Sequence, residues 1–279
     1  MAALWALRNP DGGWPYYRGR RSRLEPTSWA MLATGTPFGS TPLGAWIGQD
    51  GLFVEPGTPH ANFAFNGLAA LAASANGAPA RVLSKLMTGL VVARGEAVPP
   101  TDVARMDTSL QGWSWMAGTF SWVEPTAWCT LALKRHGSGQ ASAERVAVGE
   151  RLLRDRVCAD GGWNYGNSEV FGQALPAHVP PTAGAVLALQ DHPNDALLTR
   201  AASFLEVRAP QEGSTSALAL SALALGMLNR DVSATTARLA AHVPRAVAFG
   251  NAATLAMAAC ALGEPARQDA LRLPRSPSR

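Results

Sequence analysis

Asp11-Gly12-Gly13-Trp14 is followed, after a spacer, by Glu25-Pro26-Thr27-Ser28-Trp29-Ala30-Met31-Leu32, and this order of residues returns twice further along the chain. Gln111-Gly112-Trp113 leads to Glu124-Pro125-Thr126-Ala127-Trp128-Cys129-Thr130-Leu131, and Asp160-Gly161-Gly162-Trp163 leads to Pro180-Pro181-Thr182-Ala183-Gly184-Ala185-Val186-Leu187. From the turn tryptophan to the proline of Pro-Thr is 12 residues in the first two copies and 18 in the third. The glycines permit a tight turn at positive φ. The tryptophan after them buries a large ring and pins the loop to its neighbours. Pro-Thr then opens a helix, with proline in the first turn, where its missing N–H costs nothing. Small residues alternate with leucines along that helix, so it can pack closely.

Working outward, three fainter copies fill the rest. Gly51-Leu52-Phe53 leads into a helix over about 62–73, Gly213-Ser214-Thr215 into one ending near Leu228, and Gly250-Asn251 into one ending near Leu262. Between these six helices lie segments with helical apolar spacing at roughly 1–8, 41–48, 79–93, 142–157, 194–208 and 232–247. Spread over six units, 279 residues give about 46 per unit, a length that suits a pair of helices. The expected fold is all-α, an (α/α)6 toroid of six outer and six inner helices, forming one domain over 1–266 with a loose basic tail over 267–279. An open solenoid of HEAT or armadillo type shares the repeat length. It does not demand a Gly-Trp turn before every second helix, and six pairs can close into a ring.

Composition narrows the function classes. The chain is 47% hydrophobic and 16% charged, which fits one large core and excludes a disordered or fibrous chain. Its net charge of +4 comes almost wholly from arginine, since Lys85 and Lys134 are the two lysines. The arginines are scattered apart from Arg18, Arg20, Arg21 and Arg23, and no basic stripe with interleaved aromatics marks a nucleic-acid surface. Cys129, Cys158 and Cys260 are an odd number without a CxxC pair, which argues against a disulfide framework and for a reducing compartment. The longest apolar run, 217–228, is shorter than the ~20 residues a spanning helix needs. Residues 1–7 end at Arg8-Asn9-Pro10-Asp11 without the basic flank or cleavage site of a signal peptide. A cytoplasmic protein is expected, with contact at a membrane surface as an open alternative.

The motif Asp-Gly-Gly-Trp, a spacer, then Pro-Thr-Ala and an Ala/Leu helix resembles the repeat of squalene–hopene cyclases, related terpene cyclases and protein prenyltransferase β-subunits. The resemblance is strong over 8–35, 107–135 and 157–190 and faint elsewhere. It implies an α/α barrel with a central cavity and an apolar, isoprenoid-like ligand. It transfers no reaction. The Asp-x-Asp-Asp acid motif of squalene-type cyclases is absent from the sequence, as is an aspartate-rich Mg²⁺ motif. Cys158-Ala159-Asp160 reverses the order of the prenyltransferase zinc ligands, and one toroid stands where full-length cyclases have two barrels.

Glu25 and Glu124 precede Pro-Thr at the start of inner helices and are candidate acids. A helix N-terminus stabilises a carboxylate, and burial does the opposite. Each glutamate also reads as an ordinary charge complementing the helix dipole. Asp107 is a third candidate, although an aspartate beside a Gly turn usually bonds its own backbone. Trp29 and Trp128 occupy equivalent helix positions and are candidates for an aromatic wall that stabilises positive charge, or for packing core. Trp115, Phe120 and Trp122 precede Glu124 and are candidates for the cavity mouth, as is His178. The histidines show no metal-ligand spacing, and no cofactor motif is present, so neither metal nor cofactor is expected. Two functions stay open at this point: an isoprenoid-handling enzyme with a cavity carboxylate as acid, and a non-catalytic toroid that binds a lipid or a protein partner.

Overall fold

Trp14, Trp113 and Trp163 are fully buried, and the same set of hydrogen bonds holds each of them. In this computed structural model, which describes residues 1–100 and 106–274, each tryptophan N–H donates to the hydroxyl of the Pro-Thr threonine: Thr27 at 2.9 Å, Thr126 at 3.0 Å and Thr182 at 2.9 Å. The threonine hydroxyl can donate in turn to the carbonyl of the same tryptophan. Each indole N–H donates to a carbonyl of the preceding outer segment, that of Leu4, Leu90 or Leu153. The Pro-Thr threonine is therefore a clamp between turn and helix. Its closeness explains the glycine directly before the tryptophan in two copies, because a Cβ on Gly112 or Gly162 would lie 2.6 Å from the threonine oxygen. Asn66 does the same for Phe53 in the fainter second copy, accepting from its N–H and donating to its carbonyl.

Eleven α-helices are formed among the described residues: α1 (Ala2–Trp5), α2 (Leu24–Thr34), α3 (Phe63–Ala75), α4 (Ala80–Val92), α5 (Val123–His136), α6 (Gly139–Asp155), α7 (Val179–Leu189), α8 (Ala196–Arg208), α9 (Thr215–Met227), α10 (Ser233–Phe249) and α11 (Ala252–Leu262). Helices α2, α3, α5, α7, α9 and α11 are buried almost all round, as expected of helices enclosed on every side. Each packs on the next in that order, and α11 packs on α2, so the inner layer is a closed ring. The open solenoid is thereby excluded. Helices α4, α6, α8 and α10 lie outside it and bury one face each.

The outer layer departs from expectation in two places. Residues 1–8 give only the single turn of α1, and 41–48 give 3₁₀ turns at Phe38–Ser40 and Pro42–Trp46. Pro42, Gly44 and Gly48 in that second segment weaken an α-helical ladder. The six-residue excess in the third copy's spacer is spent on a small antiparallel hairpin, Glu169–Val170 with Gln173–Ala174, whose tip residues Phe171 and Gly172 both have positive φ.

The segment expected to be a loose tail from 267 is packed in its described part. Residues 265–273 cross the C-terminal ends of the inner helices. Arg267 donates to the Ala33 carbonyl at the end of α2, and Arg135 of α5 donates to the Arg272 carbonyl. Gln190 bonds both the Leu271 carbonyl and the Leu273 N–H, while Gln268 reaches the Cys260 carbonyl of α11 at 3.4 Å. Leu271 and Leu273 are buried. Inner-helix carbonyls without an intrahelical partner need donors, and the segment's polar side chains provide them while its leucines cover the apolar end of the ring. This end of the ring is plugged.

Candidate functional site

At the opposite end the inner helices begin, and their first free N–H groups also need acceptors. Neighbouring loops supply them around the ring. Leu24 of α2 donates to the Glu55 carboxylate at 2.5 Å, Phe63 of α3 to the Trp115 carbonyl at 3.0 Å, Val123 of α5 to the Tyr165 carbonyl at 3.0 Å, and Ala252 of α11 to the Tyr16 carbonyl at 2.9 Å. The last of these joins the two ends of the chain. Tyr16, Glu55, Trp115 and Tyr165 are all two residues past the turn aromatic, so one loop position rims the mouth.

Glu25 and Glu124 lie inside this rim, each two residues into its helix from the N-cap. One turn deeper on the same faces are Trp29 and Trp128, at i+4 from the glutamates. Helices α2 and α5 are separated by α3, yet the Trp29 and Trp128 rings meet edge to face with centroids 5.6 Å apart. Contact between non-adjacent helices of a ring requires both side chains to point at its axis. Both indoles are buried, so they close the lumen beneath the glutamates. The loops above that floor frame the mouth of the ring as a shallow cup, in which the two glutamates are half-buried.

The two carboxyls sit in different surroundings. Glu25 is hydrogen-bonded by the Tyr16 hydroxyl and lies near the bidentate pair of Arg23 with Glu55, whose contacts are 2.9 and 2.7 Å. Burial nevertheless raises its pKa, with the Tyr16 hydrogen bond opposing. Among the described residues Glu124 has no hydrogen-bond or ion-pair partner. Burial, assisted by the negative charge of Glu25, pushes its pKa up to about 7. The helix N-terminus would lower it, and desolvation wins.

The other nominated residues distribute as follows. Trp115 is on the rim, its ring edge to face with Phe65 of α3 at 6.1 Å. Phe120 and Trp122 stack on each other at 4.7 Å, and Trp122 lies against Gly166 of the next loop. His178 is the N-cap of α7, exposed, with its ring 5.7 Å from that of Tyr165. Asp107 is not in the cup. It is an exposed turn residue on the outer rim whose carboxylate accepts from the N–H and hydroxyl of Ser109, and these bonds lower its pKa. An anion so stabilised is a poor proton donor, which removes Asp107 as an acid. Tyr16, Phe65 and Tyr165 are cup residues that sequence reasoning passed over. The signal that marks the two tyrosines was their common offset from the turn tryptophan.

No described cysteine or histidine pair forms a metal-ligand group. Glu150, Asp191 and His192 do have ligand spacing, at the plugged end, but the Lys134 ammonium sits among them, 2.5 Å from Glu150 and 2.6 Å from Asp191. The cation's place there is taken by lysine. No helix of the described residues is long and apolar enough to cross a membrane.

No protein family profile and no curated protein matches the sequence. Solved structures do resemble the fold. The type II terpene cyclase MstE from Scytonema aligns with a TM-score of 0.54 and 19% identity over 88% of this chain and 76% of its own. An Asp-to-Asn variant of that cyclase, in complex with its substrate geranylgeranyl dihydroxybenzoate, gives 0.50 and 18% over 88% and 75%. Endoglucanase Cel10 from Klebsiella pneumoniae, a family 8 glycosyl hydrolase, gives 0.52 and 16% over 90% and 98%. The chain is an α/α toroid of terpene cyclase-like fold. At these identities the likeness concerns architecture.

Proposed function

We propose that this toroid binds an apolar, isoprenoid-like ligand in the cup at the open mouth and that Glu124 is the acid of the site. One observation carries the reading: a carboxyl without a partner, held half-protonated near neutral pH, stands one helical turn above a tryptophan pair. General acids work best when their pKa lies near the operating pH. The indoles beneath would stabilise positive charge developing in a bound ligand. A proton held this tightly suits transfer to a ligand oxygen better than to an unactivated alkene. The structural likeness to a terpene cyclase supports the apolar ligand class.

A second reading has its own support. Two carboxyls share the mouth, one raised in pKa by burial and one hydrogen-bonded, over a closed aromatic floor, and a toroid of similar architecture is an endoglucanase. Paired carboxyls are what glycoside hydrolysis requires.

The test is mass spectrometry of organic extracts from natively purified protein, followed by turnover assays with prenyl substrates and with soluble glucans. Under the leading proposal an isoprenoid is recovered or converted, and Glu124→Gln abolishes conversion while leaving binding intact. Binding without conversion in the wild type assigns a carrier role. Hydrolysis of a glucan, lost in Glu124→Gln, transfers the acid to the second reading, and an absence of both prenyl binding and prenyl turnover refutes the first.

A further inference from the structure

Beside the cup, where α7 begins and α8 ends, a cavity of about 630 Å³ is lined by Tyr165, His178, Pro180, Phe204, Arg208 and Glu212 among others. Two of its walls belong to the mouth. Tyr165 caps α5 through its carbonyl, beside Glu124, and its hydroxyl is raised in pKa by burial and then by the charges of Glu124 and Glu212. Pro180 occupies on α7 the position that Glu25 and Glu124 occupy on their helices. The cavity therefore adjoins the mouth at the start of α7, where Pro180 stands in the place of the glutamate and lines it.

Its chemistry differs from that of the cup. Arg208, which carries five N–H donors, has no hydrogen-bond or ion-pair partner among the described residues and lines the cavity together with Tyr165 and His178. Gln211 is tied back to the Val207 carbonyl at 3.0 Å, which leaves Glu212 as the free acceptor. Donors outnumber acceptors, and the one permanent unpaired cation is a guanidinium, whose fork matches a carboxylate. We infer that this cavity is a head-group subsite and that the natural ligand is an amphiphile, an apolar chain in the cup ending in a carboxylate-bearing head held by Arg208. The inference rests on the proposal that the cup takes an isoprenoid chain.

Two probes separate the claims: farnesol and farnesoic acid, which share a chain and differ in the head. Binding is followed by quenching of tryptophan fluorescence, below the concentration at which either probe aggregates. The acid should bind on the order of tenfold tighter. Arg208→Gln should erase that difference without changing the affinity for farnesol, and Glu212→Gln, which removes a repelling charge, should tighten the acid further. Arg208 is exposed at a helix end, so the variant keeps the fold. Equal affinities in the wild type, or an equal loss for both probes in Arg208→Gln, overturn the head-group subsite and leave the chain-binding cup standing. If neither probe binds, both fall.

Discussion

Replacing Glu124 by glutamine should flatten the fall in the protein's stability as pH rises from acid to alkaline. In the unfolded chain a glutamate titrates near 4.5, and in the ring Glu124 titrates near 7. Below the lower value both states hold the proton and the site contributes nothing to the pH dependence. Between the two values the unfolded state has lost its proton while the native state keeps it, so stability falls as pH rises. Above about 7 both are ionised and the loss is complete. At about 1.4 kcal/mol for each tenfold difference in affinity, the full loss is roughly 3 kcal/mol. Because Glu124 is only partly buried, water screens some of this, and about 1–3 kcal/mol is the range to expect.

Glutamine does not ionise, and any cost of burying its amide is the same at every pH. The readout is therefore the slope and not the absolute stability. Urea midpoints measured from pH 5 to pH 8.5 should fall more steeply for the wild type than for Glu124→Gln. Glu25, whose pKa is also raised, contributes to both curves. In thermal scans the extra loss amounts to about 2–4 °C per kcal/mol. Parallel curves for the two proteins would show that Glu124 is solvated and ordinary, and the acid proposal would go with that result.

Three other outcomes follow from the fold. Thr126→Val keeps the shape of the clamp but leaves the Trp113 N–H unpaired in the core, at a cost of about 1–3 kcal/mol by denaturant titration; the Trp113 carbonyl keeps the Trp122 N–H, so a larger loss would indicate that the turn itself had moved. Leu271→Ala should cost about 2–5 kcal/mol, because the plug is core, and a midpoint shift under about 0.5 kcal/mol would return the segment to the status of a loose tail. All three thiols are buried, and burial raises their pKa values, so an aromatic disulfide reagent should label none of them in native buffer and all three in denaturant; rapid native labelling would contradict the packing of α5 and α11.

Much of the ring was legible because its turns carry redundant marks. The glycine, the tryptophan and the threonine of each strong copy belong to one hydrogen-bonded unit, so no one of them can vary freely, and their co-occurrence located α2, α5 and α7. The outer layer was less legible. Residues 1–8 and 41–48 have helical apolar spacing because they cover the ring, but covering it takes only a turn or a 3₁₀ segment. The arginines and prolines near the C-terminus read as a loose tail, yet 267–274 is packed on the ring. Arg267 and Gln268 are half-buried there and meet the carbonyls that end α2 and α11, a requirement visible only once the ring is closed. Asp107 failed for the opposite reason. Its turn chemistry was visible in the sequence, and that chemistry is its whole role.

The composition of the mouth follows from how the fold satisfies its own helix ends. At the loop position two past the turn aromatic, a residue must offer an acceptor to the neighbouring inner helix. Tyr16, Trp115 and Tyr165 meet that demand with a backbone carbonyl, which any residue possesses; the Tyr16 and Trp115 rings also pack on the core, whereas the exposed Tyr165 side chain is left free by folding. Glu55 meets it with its carboxylate and is thereby committed to Leu24 and Arg23. The glutamates one shell inward have no such duty, since the third copy folds with Pro180 in their place. Positions that folding leaves free, held rigidly by backbone atoms that it does fix, are where a toroid can change its chemistry without losing its ring. Replacing the side chain of Tyr165 should accordingly alter ligand preference far more than stability. Replacing Glu55 should do the reverse.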